Sequence, residues 1–127
     1  MAEEITVSGT ITIEDEVVAS IAGEVAKEVE GVYQLGTSSI RRTLAQRLGG
    51  GKSRTTGVEA AVGTKETAID LSLAVTYGYN IPEVASKVRD SIAEKVSDLT
   101  GLIVKEINID VNEIFFPERE KGKVELE

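Results

Sequence analysis

The sequence predicts an α+β fold, a two-layer sandwich of a mixed or antiparallel sheet with two main helices on one face. Three observations carry the prediction. Apolar residues alternate with polar ones over 5–13, 57–63, 67–77 and 103–112; they recur at helical spacing over 14–30 and 80–100; and a glycine, Gly31 or Gly101, closes each helical run.

Ile5, Val7, Gly9, Ile11 and Ile13 alternate with Thr6, Ser8, Thr10 and Thr12, which predicts an opening strand with one buried and one wet face. Glu14-Asp15-Glu16 then favours the positive end of a helix whose apolar positions are Val17, Val18, Ile21, Ala22, Val25, Ala26 and Val29. After Gly31, Val32 to Leu35 returns as a short strand. Ile40, Leu44 and Leu48 sit four apart, enough for a short amphipathic helix before Gly49-Gly50-Gly51. The runs around Thr64-Lys65-Glu66 form a hairpin, with Ile69, Leu71, Leu73 and Val75 facing inward. Asn80 caps a second long helix, with Pro82 in its first turn and Glu83 in capping-box position. Its core stripe is Ile81, Val84, Ala85, Val88, Ile92, Val96 and Leu99, and Ile103, Ile107, Ile109 and Val111 mark the last strand.

Strand, helix, glycine and strand thus occur in the same order at 5–35 and 67–112, which reads as two similar units on one sheet. Thr6, Ser8, Thr10, Asp70, Ser72, Asn108 and Asp110 would line a wet second face. One domain over 1–117 and a charged tail over 118–127, expected to be disordered, account for the 127 residues.

Cysteine and histidine are both absent, which removes thiol nucleophiles, disulfides, Cys/His zinc sites and the usual proton carrier near neutral pH. The five aromatic residues, Tyr33, Tyr77, Tyr79, Phe115 and Phe116, are too few for a stacking platform unless the fold gathers them. Gly51-Lys52-Ser53 resembles the end of a phosphate loop, but Gln46 stands where the first glycine belongs. A helix precedes the motif and a strand follows, the reverse of what phosphate binding needs. Asp110-Val111-Asn112-Glu113 lacks the glycine and ligand ladder of a calcium loop. No residue is therefore assigned a catalytic, metal or cofactor role, and the chain is expected not to be an enzyme.

Charge is unevenly spread. The net charge is -8, yet no acidic residue lies between Glu30 and Glu59, where Arg41, Arg42, Arg47, Lys52 and Arg54 contribute five positive charges. Such a patch attracts an acidic partner or a second copy of the chain; its bland reading is a solvated loop. Nucleic-acid binding through 41–54 is the alternative, weakened by the overall negative charge and by the lack of interleaved aromatics. The acidic Met1-Ala2-Glu3-Glu4 start and the lack of a long apolar stretch give an expectation of a cytoplasmic protein that reaches the membrane only through a partner.

The order and spacing of Ile21-Ala22, Gly31-Val32, Gly57-Val58, Val75 through Tyr77-Gly78, Ile81-Pro82-Glu83-Val84, Gly101 and Ile107-Asn108-Ile109-Asp110-Val111 resemble the alkaline shock protein family. That family comprises envelope stress response proteins of Gram-positive bacteria. The resemblance spans Ile5 to Phe116. It implies a small, cytoplasmic, non-enzymatic protein of cell-envelope homeostasis that associates with itself or docks to a small membrane-anchor protein. It supplies no catalytic residue and no small-molecule substrate.

A calorimetric titration with ATP or GTP is expected to show no saturable binding in the micromolar range. Binding that is lost on Lys52→Ala would establish a nucleotide site.

Overall fold

The computed structural model describes residues 6–36 and 57–117. In chain order the elements are α1 (Asp15–Lys27), β1 (Val32–Leu35), β2 (Val58–Val62), β3 (Glu66–Thr76), α2 (Ile81–Thr100) and β4 (Ile103–Phe115). The predicted helix over Ile40, Leu44 and Leu48 and the tail over 118–127 lie outside the described residues.

The sheet is mixed. β3 runs through its centre, with β1 and β2 antiparallel along one side and β4 parallel along the other. Val32 to Leu35 pairs with Val75 to Leu73, and Val58 to Val62 pairs with Leu71 to Thr67, so β1 and β2 together form one interrupted edge. At the interruption, Gly36 N–H donates to the Ser72 carbonyl at 2.8 Å, and Ser72 N–H donates to the Gly57 carbonyl at 2.9 Å. Two residues far apart in sequence therefore continue a single ladder. A Cβ on Gly57 would collide with the Gly36 carbonyl oxygen, and Gly57 also adopts φ +80°. Only glycine fits there without strain.

Both helices pack on one face of the sheet. α1 lies over β1 and β2 and against α2, which in turn covers β4. Small buried residues on α1, Ala19, Ala22, Gly23 and Ala26, let it approach its neighbours closely. On α2 the buried Val84, Val88, Ile92 and Val96 recur every four residues. They meet Ile69, Leu71, Leu73 and Val75 of β3, all fully buried, as the alternation of the hairpin predicts. Each fully buried side chain of that size contributes roughly 1.5–3 kcal/mol of burial free energy.

Local signals place the ends of α2. Asn80 Oδ1 accepts the Glu83 N–H at 3.0 Å, and Pro82 stands in the first turn. Gly101 closes the helix in the left-handed region at φ +78°, and its N–H reaches the Ser97 carbonyl. α1 stops at Lys27, short of the predicted Glu30, because Glu28 and Val29 N–H groups bond three residues back and tighten the last turn.

Four expectations are corrected. Residues 6–13 form no strand: Val7 is 81% and Ile11 94% exposed. Asp15 Oδ1 accepts the Val62 N–H at 3.0 Å, which fixes the start of α1 at the end of β2 and sends the preceding residues past the end of the sheet. The two-unit repeat consequently fails, since the first unit lacks its opening strand and β1 is antiparallel to β3 where β4 is parallel. Leu99 is 63% exposed and leaves the α2 stripe at Val96. The second face is not uniformly wet either: Thr6, Ser8 and Thr10 are off the sheet, while Asp70 and Ser72 on the central strand are buried.

Gly57→Ala is expected to cost about 2–4 kcal/mol, because a left-handed residue and a backbone collision coincide. Gly101→Ala has a similar φ but open space around its Cβ, so about 1 kcal/mol is expected. Urea unfolding of the two variants checks the difference.

Candidate protein-interaction surface

The end of the sheet where β3 and β4 finish gathers all five aromatic residues. A register shift between Val32 and Gln34 turns Tyr33 outward from β1. Phe115 pairs in register with Thr76 at the end of β4. Their rings stack across β3 with centroids 3.9 Å apart and 4° between planes. Between them β3 places only Ala74 and Thr76 on this face, and these short side chains leave room for the rings. Tyr77 and Phe116 form a second pair, 4.9 Å apart and tilted by 33°. Aromatic pairs of this kind add roughly 0.5–1.5 kcal/mol beyond the area they bury.

Tyr79 completes the group. Gly31, at φ +102°, lies so close that its missing Cβ would stand 3.1 Å from the Tyr79 ring and 2.7 Å from Val84. The Tyr79 hydroxyl donates to Glu30 Oε2 at 3.2 Å. This hydrogen bond, and then the negative charge of Glu30, raise the Tyr79 pKa above the usual phenol value, since ionisation would lose the bond and set two anions together. An open cleft of about 620 Å³ runs beside Tyr77, Tyr79, Ile81, Ile114 and Phe116. Tyr33, Tyr77 and Tyr79 remain 46%, 66% and 41% exposed, and the exposed Glu30, Glu83 and Glu113 lie around them in sequence. Exposed tyrosines on rigid strand ends offer large contact area at small entropic cost, which suits a protein partner.

The second sheet face carries polar groups. Asn108 Nδ2 donates to Asp70 Oδ1 and to Glu106 Oε2, both at 2.8 Å, and Glu59 pairs in register with Asp70. Asn112 crosses Ser72 to lie 3.1 Å from where a Cβ on Gly36 would stand, and the buried Ser72 Oγ has no hydrogen-bond partner. Among the described residues no three acidic side chains are placed to hold a metal ion. No described helix is long and apolar enough to cross a membrane.

The basic residues singled out from sequence, Arg41, Arg42, Arg47, Lys52 and Arg54, lie outside the described residues. The described residues carry sixteen acidic and six basic side chains, so the contrast in charge with that segment stands in the sequence itself. Sequence reasoning missed the aromatic end. Its signal was Tyr77-Gly78-Tyr79 directly after one strand and Phe115-Phe116 at the close of another, which meet only once the two strands are known to run parallel.

Residues 3–116 match the model of the alkaline shock protein 23 family, described as having a cell envelope-related function. The chain belongs to this family. Among relatives of this alkaline shock protein, YqhY of Bacillus subtilis strain 168, an uncharacterized protein, is 33% identical over 116 residues, covering 91% of this chain and 84% of that one. The stress response regulator gls24 homolog of Streptococcus pyogenes is 30% identical over 122 residues, covering 95% of this chain and 68% of the relative. Among solved structures, the MamM CTD aligns with a TM-score of 0.51 at 12% identity, over 77% of this chain and 96% of that one. At that identity the likeness is one of fold alone.

Because the Tyr79 pKa is raised in the folded protein, its hydrogen bond stabilises fully below the ordinary phenol range, and that stabilisation is lost as pH rises through the raised value. Glu30→Gln is expected to bring Tyr79 ionisation back toward the unperturbed range. Ultraviolet titration of tyrosinate, with Tyr79→Phe identifying the affected group, measures the change.

Proposed function

We propose that this alkaline shock protein is a non-enzymatic interaction protein of the envelope stress system, working beneath the membrane by associating with itself and by docking to a membrane-anchored protein. The observation that carries the reading is the gathering of every aromatic residue at one end of the sheet, with three tyrosines exposed and two of them, Tyr77 and Tyr79, lining an open cleft. Truncating such residues is what typically costs binding energy at protein interfaces. Membership of a cell envelope-related family and likeness to a stress response regulator support the same reading. The basic residues Arg41, Arg42, Arg47, Lys52 and Arg54 add electrostatic steering toward an acidic partner.

The test is co-sedimentation of wild type and two variants with the membrane-anchored partner, alongside thermal melts. Tyr33→Ala with Tyr77→Ala is expected to weaken docking tenfold or more, which corresponds to about 1.4 kcal/mol; because it also removes two aromatic pairs the melt falls, so docking is compared at a temperature where both proteins are folded. Arg41→Glu with Arg42→Glu is expected to abolish docking by turning attraction into repulsion. Equal docking by both variants would remove this surface from the function.

A further inference from the structure

The exposed apolar residues sort by place. Tyr33, Tyr77 and Tyr79 belong to the aromatic end and Val17 to the first turn of α1, but Val7, Ile11, Leu99 and Ile103 lie in the two segments that meet at the opposite end. There residues 10–13, 62–65 and 100–103 border an open cleft of about 890 Å³. Leu99 is in the last turn of α2, and Ile103 opens β4, which pairs only with β3 among the described residues.

The thirteen residues of β4 thus present an edge that no described residue pairs with. A long unpaired edge is a template for another strand. Cover is also incomplete there: Ile107, Ile109 and Val111 of β4 are half-buried, whereas Ile69, Leu71 and Leu73 of the central strand are fully buried by the same two helices. Residues 6–12 have the composition of the missing neighbour. Val7, Gly9 and Ile11 alternate with Thr6, Ser8, Thr10 and Thr12, yet this segment joins no strand of its own chain.

Reach decides between its own edge and another. α1 is pinned to β2 through Asp15 and Val62, and the position outside β4 is three strand spacings away, roughly 14 Å. Crossing that distance consumes about four extended residues. Those are residues 10–13, which already border the end of the sheet, and they include Ile11. Thr6 to Gly9, left over, do not pair with β4 of the same chain. The edge of a second copy is not held at that fixed distance from Asp15, so residues 10–12 are free to leave the end of their own sheet and the whole alternation can lie along it.

We propose that residues 6–12 add as a strand to the outer edge of β4 in a second copy of this chain. Val7 and Ile11 join Ile107 and Ile109 on the helix-covered face, with Leu99 and Ile103 at the margin; Thr6, Ser8 and Thr10 join Glu106, Asn108 and Asp110 on the other face. Main-chain hydrogen bonds supply affinity, and the match of apolar and polar faces sets register. The inference rests on the self-association part of the proposed function and gives it a location.

Two measurements on the full chain test it. Ser8→Pro with Ile11→Pro removes one N–H at each parity, so one ladder hydrogen bond is lost whichever register applies. Sedimentation should show association of the wild type and at least a tenfold loss in the variant, whose melt should match that of the dilute wild type because neither position is paired within one chain. The chain has no cysteine, so Ser8→Cys chains can be mixed with chains carrying Glu106→Cys, Asn108→Cys or Asp110→Cys. A disulfide between the two kinds of chain supports the exchange. Association that survives the prolines without any mixed disulfide overturns strand exchange but leaves self-association standing. A wild type that stays monomeric at high concentration overturns both, and a disulfide closing only within a chain that carries both cysteines assigns residues 6–12 to their own edge and overturns the proposal.

Discussion

Among the described residues every other strand of the sheet is hydrogen-bonded to β3, and no two of the others are bonded to each other. This single strand supplies the floor of the core through Ile69, Leu71, Leu73 and Val75, sets the register of the interrupted edge, and fixes how far β4 extends. With strands on both sides of β3, the polar Thr67, Asp70 and Ser72 within it are buried. Asp70 is then satisfied by Asn108 across the ladder, which ties the second face to the same strand.

Placement of the aromatic end follows from that dependence. Tyr33 and Phe115 sit on strands that never touch, and they stack only because β3 carries short side chains between them. Tyr77 and Tyr79 follow directly from the end of β3, and Tyr79 is braced from the other side by Gly31 and Glu30 at the close of α1. A surface assembled this way is held in place by the core strands beneath it. Side chains fixed in this way have less freedom left to lose in any contact they make.

Much of this was legible in the residues. The hairpin, α2 and its two caps follow from signals that act over a few positions: alternation around Thr64-Lys65, Asn80 against the Glu83 N–H, and glycine at 101. What was not legible depends on partners distant in sequence. Alternation over residues 5–13 specifies the two faces of a strand but says nothing of what it pairs with, and it was read as part of the chain's own sheet. Leu99 continues the helical spacing of Val88, Ile92 and Val96, yet it lies in the last turn, past the apolar stripe that meets the sheet. The aromatic cluster needed the parallel direction of β4, for which composition has no signature.

Gly36 and Gly57 are consecutive in the ladder, both bonded to Ser72, although twenty residues separate them in the chain. Both ends of that interval are bonded to one residue of the central strand, and both are glycine, so they meet with no side chain between them. The edge of the sheet is therefore closed by two positions that become neighbours only in the folded chain, so a side chain added at Gly57 damages a strand edge and not a loop, and its cost falls on the cooperative core.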